Sequence, residues 1–283
     1  MPNVIPYLVL TLISVLLLAA MMLHQRNARL VVLLLTFSGM VYVAEFFVLV
    51  VWNGYEYLPH VLSTRYQDNL VGAIVSNLWI IPVLGVLVAL YRLGFFWMLA
   101  FALALAGVEW LFTWLGVYEP YWWKRTYTVG AVLFFFGLVR FWYSRLRQGQ
   151  PVVRFVSLWM QAWSAVATVM FLMSVLQVRY YQIGVYEDPE RDNIFLSSIM
   201  GLLKAGVFSA LVAGIPDRRK QWRLLAPLIM LAVDAPLYYA GWLLIHSPLW
   251  LYACVYLLCA LALLGWNTLA YRYIWKLGES YKG

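Results

Sequence analysis

Long apolar runs recur along nearly the whole chain, and they constrain its fold more than any other feature. An α-helix rises about 1.5 Å per residue, so about 20 apolar residues span the roughly 30 Å of bilayer hydrocarbon. Nine runs of this kind can be counted, at residues 4–23, 30–52, 70–91, 94–117, 128–143, 152–178, 194–214, 224–245 and 249–274. The fifth is the shortest, and it is long enough only if Arg140 lies near the polar boundary. We therefore predict an all-α integral membrane protein with about nine transmembrane helices.

The composition agrees with a membrane location. Hydrophobic residues make up 65% of the sequence and charged residues 11%, whereas a soluble globular protein carries about 25% charged residues. A soluble fold of this length cannot bury so many apolar side chains, so the excess must face lipid. We therefore expect the lipid bilayer as a partner and no nucleic acid, because the net charge of +8 is accounted for by loop lysines and arginines. Nothing in the composition indicates an oligomeric state.

The loops between the runs alternate in charge, which predicts the topology. Lysine and arginine mark the cytoplasmic side of a membrane protein. The basic loops lie at residues 26–29, 92, 140–154 and 218–223, and the loops with most of the acids lie at residues 55–69, 118–127 and 179–193. This alternation predicts that the N-terminus is outside and the C-terminus is cytoplasmic. No positive charge precedes the first run, so we expect that run to be a retained helix and not a cleaved signal peptide.

The sequence also predicts an internal repeat. Pairs that align at an offset of 124 residues, with one gap before the last, are Asp68 with Asp192, Asn69 with Asn193, and Glu109 with Asp234. We therefore expect an N-terminal transmembrane helix at residues 1–29, a first four-helix repeat at 30–150 and a second at 151–283. An even number of spans makes the copies parallel, and transporters with such repeats bind substrate between them. A duplicated scaffold without a passage, or chance matching among apolar residues, would leave the same pattern.

The two Asp-Asn pairs stand just before apolar runs. Side chains of this kind accept hydrogen bonds from the free amides in the first turn of a helix. We therefore predict that both pairs are helix N-caps.

Two charges in consecutive runs form the first candidate binding site. Lys204 lies in the seventh run and Asp234 in the eighth, and the helix rise places both near the membrane midplane. The two helices are antiparallel neighbours, so the charges can pair, which lowers the cost of burying either alone. A structural ion pair and a site for a solute, proton or headgroup both fit this pattern.

Two carboxylates form the second candidate binding site. Glu45 and Glu109 lie at a similar depth, roughly a third of the way in from the predicted outer side. Acids inside a membrane mark proton relays or cation sites in many proteins. The alternative is two independent acids with hydrogen bonds to Asn77, Ser76 or tyrosines.

No group of residues in the sequence supports catalysis or cofactor binding. The three histidines, His24, His60 and His246, all fall at the ends of runs, and no pair has the spacing of metal ligands. The chain has no phosphate-binding glycine loop and no serine nucleophile motif. We therefore predict no catalytic residue, no metal and no cofactor. Whether the chain is an enzyme stays open, although the lack of a nucleophile argues against it.

The stretch at residues 109–128, EWLFTWLGVYEPYWWKRTYT, resembles a region of uncharacterised multi-pass membrane proteins of spore-forming Firmicutes. The segment RYQDN at residues 65–69 adds to the resemblance, which covers about residues 30–145. That family is built from units of about four or five spans, which fits one half of this chain. The resemblance implies a cell-membrane protein of a Gram-positive bacterium, and it implies no activity.

These observations lead to one functional hypothesis and two rivals. The hypothesis is that the protein binds or transports a small solute, ion or lipid at the interface between the repeats, with Glu45, Glu109, Lys204 and Asp234 lining the site. The first rival is a non-catalytic membrane scaffold or sensor whose buried charges serve packing only. The second is a membrane-embedded enzyme that acts on lipid by acid chemistry alone.

Overall fold

The computed structural model of the chain describes residues 2–279, and within that range nine long helices dominate. They are α1 (Val4–Gln25), α2 (Leu30–Val51), α3 (Arg65–Leu90), α4 (Phe95–Trp114), α5 (Arg125–Arg147), α6 (Pro151–Val175), α7 (Pro189–Gly214), α8 (Leu225–Tyr239) and α9 (Leu249–Glu279). All except α8 are long and apolar enough to cross a membrane. The prediction of an all-α membrane protein is confirmed.

Helix α8 is shorter than the run at 224–245 that predicts it. A 3₁₀ segment, Asp217–Leu224, precedes it, with non-helical dihedral angles at Arg219. The helix itself has 15 residues and ends at Tyr239. It ends there because Gly241 adopts a left-handed conformation with φ of 73°, and the amide of Trp242 returns to the carbonyl of Leu237 at 2.8 Å. Asp234 therefore lies roughly one and a half turns from the end of its helix, much closer than the sequence analysis placed it.

Two short antiparallel strand pairs occupy the segments that the sequence analysis assigned to loops and a helix end. Strand β1 (Tyr55–Tyr57) pairs with β2 (Tyr118–Pro120), and β3 (Arg179–Tyr181) pairs with β4 (Leu243–Ile245). Each strand has three residues. A strand this short carries no readable alternation of apolar and polar residues, which is why the sequence analysis did not predict it.

The chain divides into two compact units, with unit 1 ending at Gln150 and unit 2 beginning at Pro151. Unit 1 contains α1 to α5 with β1 and β2, and unit 2 contains α6 to α9 with β3 and β4. Helix α1 packs inside unit 1, where the ring of Tyr7 lies 5.1 Å from that of Phe112 and its hydroxyl accepts from the amide of Leu58 at 3.2 Å. Without α1, unit 1 has the same order of helices and strands as unit 2.

The Asp-Asn pairs bind the loop and strand that precede their helices, so the prediction that they are N-caps is wrong. In unit 1 the N-cap of α3 is Thr64. The Asp68 carboxylate accepts from the amides of the preceding loop, and Asn69 Oδ1 accepts from the amide of Tyr57 in β1 at 2.9 Å. The donors to Asp68 are His60 at 2.9 Å, Val61 at 2.6 Å and Leu62 at 2.9 Å.

Unit 2 repeats this arrangement at the offset of 124 residues. The N-cap of α7 is Asp188, and Asn193 Oδ1 accepts from the amide of Tyr181 in β3 at 2.9 Å. The donors to Asp192 are Ile183 at 2.6 Å, Gly184 and Val185 at 2.8 Å and Tyr186 at 3.2 Å. We call each pair, Asp68 with Asn69 and Asp192 with Asn193, an Asp-Asn clamp. The recurrence supports the predicted duplication, which stays a prediction.

Replacing the aspartate of either clamp with asparagine should destabilise the protein. Asp68→Asn and Asp192→Asn keep the shape but remove the charge and leave one oxygen to accept from several amides, so buried donors lose their partner. We expect a cost of about 2–3 kcal/mol for each variant, measured as a lower midpoint of thermal unfolding in detergent. The control is Glu187→Gln, which removes an exposed carboxylate from the loop of the second clamp and should melt like the natural protein. Clamp variants that also melt like the natural protein would contradict this role.

Candidate functional site

Unit 1 encloses a cavity of about 270 Å³, lined by α1 to α5 and both strands. Most of its wall is apolar, and the exceptions concentrate at the end that the strands close. Glu45 of α2 and Glu109 of α4 both line it. The structure thus brings together the two carboxylates of the second candidate site. Pockets that bind drug-sized ligands measure roughly 300–1,000 Å³, so this cavity suits a smaller molecule.

Two π-helical turns form part of the cavity wall. The last six residues of α2, Phe46–Val51, are π-helical and directly follow Glu45. A second turn, Val75–Ile80, interrupts α3 and contributes Ser76, Asn77 and Ile80 to the wall. Single π-turns inside α-helices are frequent at functional sites, because the wider turn redirects side chains.

Neutral groups donate the hydrogen bonds that the structure gives to the two carboxylates. The hydroxyl of Tyr55 donates to both oxygens of Glu45, at 2.8 and 2.7 Å. The hydroxyl of Thr128 donates to Glu109 Oε2 and itself accepts from the indole of Trp123 at 2.8 Å. In the described part of the chain no lysine, arginine or histidine lines the cavity. The nearest electrostatic influence of a cation on Glu109 comes from Arg125, which is exposed at the start of α5.

Strand β1 places two tyrosines against the carboxylates because alternate residues of a strand face opposite sides. Tyr55 and Tyr57 line the cavity, whereas Glu56 between them does not line it, is buried and pairs with Arg65 at 2.6 Å. Burial, together with the charge of Glu45, raises the pKa of the phenols of Tyr55 and Tyr57 well above the usual value. Both phenols therefore stay protonated and can donate hydrogen bonds.

The cavity wall beside the carboxylates is a cluster of aromatic rings. The ring of Tyr118 in β2 lies 5.3 Å from those of both Tyr55 and Tyr57, and the ring of Trp123 lies 5.8 Å from that of Tyr55. Rings at these separations are in contact, mostly in tilted or edge-to-face geometry. The two carboxylates, together with the ring faces, which carry partial negative charge, make the strand end of the cavity electron-rich.

Gly72 of α3 allows this arrangement. A Cβ atom at this position would lie 2.3 Å from the Cβ of Tyr57 and 3.1 Å from Cε1 of Tyr7. Real Cβ atoms do not approach other atoms so closely, so any larger residue would push β1 away from α3. The sequence analysis did not single out this glycine, because the contact is with a strand that the sequence did not predict.

The cavity reaches the outer surface of the helices in unit 1. Ala44 of α2 and Phe134 of α5 both line it, yet both are exposed, and Phe134 is 72% exposed. An apolar side chain with this much exposure on a membrane-spanning helix is suited to contact with lipid. The cavity therefore has a lateral opening at the helix exterior as well as a polar end at the strands.

Unit 2 pairs the two charges of the first candidate site. The Lys204 ammonium lies 2.6 and 2.7 Å from the two oxygens of Asp234, and the residues are 4% and 2% exposed. The hydroxyls of Tyr181 and Tyr252 donate to the same carboxylate at 3.2 and 3.3 Å. The ring of Tyr256 lies beneath the ammonium at 5.1 Å. The pair is buried and surrounded by polar and aromatic partners.

A third charge, which the sequence analysis assigned to an outer loop, belongs to this cluster. Arg179 of β3 is buried, stacks on the ring of Tyr181 at 4.9 Å and donates to its hydroxyl at 2.8 Å. Its Nε and Nη2 groups have no hydrogen-bond partner among the described residues. The cluster therefore holds two cations and one carboxylate. Only knowledge of the strand could have placed Arg179 here, because its position in sequence is typical of a polar loop.

No family model, curated protein or solved structure matches the chain. Function must therefore be argued from the chemistry of the two units.

The buried cluster of unit 2 predicts an order of stability among three variants. Asp234→Leu leaves Lys204 and Arg179 buried without a counterion, so it should be the most destabilising, by about 3–5 kcal/mol. Lys204→Met should cost less, because Arg179 remains to compensate the charge of Asp234. The double variant should fall between them, with only Arg179 uncompensated. Thermal unfolding in detergent measures the order.

The matched control for these variants is Lys220→Met, which removes an exposed lysine and should leave the unfolding midpoint unchanged. If Asp234→Leu unfolds like the control, the ion pair does not stabilise unit 2.

Proposed function

We propose that this is a multi-pass protein of the bacterial cell membrane that binds a small solute, ion or lipid in the cavity of unit 1. The binding residues are Glu45 and Glu109. One observation carries the proposal: the cavity holds both carboxylates, and no basic side chain in the described part of the chain lines it. Acids within a membrane protein that have no structural counterion are the ones expected to act on a solute.

This proposal assigns the four sequence-predicted binding residues to two roles. Glu45 and Glu109 line a cavity, whereas Lys204 and Asp234 are buried against each other. We assign the second pair a structural role in unit 2. The sequence analysis placed all four residues in one site between the repeats, and the buried, saturated ion pair favours a site that uses the two glutamates alone.

A purely structural membrane scaffold is the rival function. The buried cluster of unit 2 is what such a protein would contain. The cavity of unit 1 argues against this rival, because a scaffold gains stability by filling an internal space with side chains. The rival therefore predicts that filling the cavity has no effect on the binding of any small molecule.

The orientation that we propose places the strands and the polar end of the cavity on the outer side. Basic residues cluster in the last turns of α5, in the first turn of α6 and in the segment before α8, at the helix ends opposite the strands. Lysine and arginine favour the cytoplasmic side. A ligand would then reach the carboxylates from the outer half of the membrane.

Filling part of the cavity should weaken the binding of small amphiphiles. The probes are radiolabelled n-hexylamine, n-hexanol and hexanoate, added to the protein in lipid nanodiscs, with empty nanodiscs as the background. We expect saturable binding of at least one probe, and a loss of about 10-fold or more in affinity in Ala131→Tyr, which places a ring at the mouth of the cavity. The control is Ala104→Tyr, at an exposed position of α4 that does not line the cavity. If no probe binds saturably, or if both variants bind as the natural protein does, the proposed site is wrong.

The orientation predicts which loops a membrane-impermeant maleimide can reach in intact cells. In a Cys254→Ala, Cys259→Ala background, Glu187→Cys should be labelled from outside and Gln148→Cys only after the membrane is permeabilised. Both positions are exposed in the structure, so access is decided by the side of the membrane alone. The reverse pattern would overturn the orientation without affecting the cavity.

A further inference from the structure

Unit 2 contains an example of how this fold holds an alkylammonium group. The four methylenes and ammonium of Lys204 lie buried in the unit, and both oxygens of Asp234 accept from the ammonium. The hydroxyl of Tyr181, from β3, lies 3.5 Å from the same nitrogen, and the ring of Tyr256 lies below it. A carboxylate, a phenol and an aromatic face together recognise a desolvated ammonium.

Unit 1 has a carboxylate and a phenol at the positions that match Asp234 and Tyr181 of unit 2. Glu109 matches Asp234 at an offset of 125, a register fixed by the two positive-φ glycines, Gly116 and Gly241, which end their helices in the same way. Tyr57 matches Tyr181 at an offset of 124, a register fixed by the two Asp-Asn clamps. Glu109 and Tyr57 both line the cavity.

Unit 1 lacks the groups that fill the corresponding space in unit 2. In the sequence alignment Ile80 pairs with Lys204 at the offset of 124, and Ala131 pairs with Tyr256 at the offset of 125. Both line the cavity. An ammonium side chain and a large ring are thus replaced by an uncharged and a small side chain, and the space that they would occupy is part of the cavity.

We infer that the cavity of unit 1 takes a small primary ammonium compound with an apolar tail, whose charged group occupies the place that the Lys204 ammonium has in unit 2. This inference rests on the proposed function and specifies its ligand class. The ammonium lies between Glu109 and Glu45, beside the rings of Tyr57, Tyr118 and Trp123. The tail lies along the apolar wall toward the lateral opening at Phe134.

The chemistry of the wall disfavours the other classes of small amphiphile. A carboxylate or phosphate would face two acids in a largely apolar space with no cation of the described chain in the wall, so like-charge repulsion opposes it. A neutral alcohol could accept from a phenol but would leave both carboxylates without a counterion. A hydrated metal ion would not use the apolar part of the wall, which makes up most of the surface.

Binding of the three six-carbon probes tests the ligand class. We expect n-hexylamine to bind about 10-fold or more tightly than n-hexanol, and hexanoate not to bind, because a charge-assisted contact is the stronger one. Glu109→Gln and Glu45→Gln should each weaken hexylamine binding by about 10-fold or more and leave hexanol binding unchanged. The matched control is Glu119→Gln, which removes an exposed acid from β2 on the side away from the cavity and should not change binding.

The outcomes separate this inference from the proposed function. If hexanol binds as tightly as hexylamine and Ala131→Tyr weakens both, the cavity is a binding site but the ammonium inference is wrong. If none of the probes binds saturably, both fail. If Glu109→Gln and Glu119→Gln weaken hexylamine binding equally, the effect is one of net charge and the inference fails.

A second experiment measures protein stability in addition to hexylamine binding. Ile80→Lys transplants the lysine of unit 2 into unit 1, where its ammonium should pair with Glu109 and block hexylamine binding. The variant should retain a folded, monodisperse state in detergent, and adding Glu109→Gln should then lower its unfolding midpoint far more than Glu109→Gln does alone. Ile80→Met, which has a similar shape and no charge, should show no such coupling. Equal effects of Glu109→Gln in the Ile80→Lys and Ile80→Met backgrounds would overturn the inference.

Discussion

The two Asp-Asn clamps are the interaction on which the rest of each unit depends. The backbone is irregular between α2 and α3 in unit 1 and between α6 and α7 in unit 2. Backbone amides without a hydrogen-bond partner are costly near a membrane. The aspartate accepts hydrogen bonds from the amides of the loop, and the asparagine accepts one from an amide of the strand. The strand is thereby held against the helix start in one register. That register places Tyr57 in the wall of the cavity that Glu109 also lines, and it places the hydroxyl of Tyr181 3.2 Å from Asp234.

The two units use this common frame in opposite ways. In unit 2 the acid is saturated by Lys204, two phenols and a nearby guanidinium, and α7 runs as an uninterrupted α-helix. In unit 1 the corresponding helix, α3, contains a π-turn, and the acid faces a cavity. A buried ion pair adds little net stability against an apolar alternative but makes removal of either partner costly. The buried ion pair of unit 2 therefore fixes the packing of its helices, whereas unit 1 has a cavity beside its carboxylates.

Helix geometry accounts for most of what could be predicted from the sequence. The ends of most helices follow from the lengths of the apolar runs. The distances of Glu45 and Glu109 from the run ends predict a similar depth for both residues, and the structure places both in the wall of one cavity. Arg179 and Gly72 could not be found, because their roles depend on three-residue strands with no periodic signal. The sequence analysis placed Asp234 too far from the end of its helix, because the apolar run continues through Gly241 into β4, whereas the helix ends before that glycine.

The carboxylates of unit 1 give a physical reason for ligand binding and folding to be linked. An acid removed from water carries a desolvation cost, which unit 2 offsets from within its own sequence through Lys204. In unit 1 the donors that the described residues supply to Glu45 and Glu109 are neutral, so these donors offset less of that cost than an ammonium does. Under the proposed function a cationic ligand supplies the missing charge, and any molecule that binds only the folded state stabilises it by mass action.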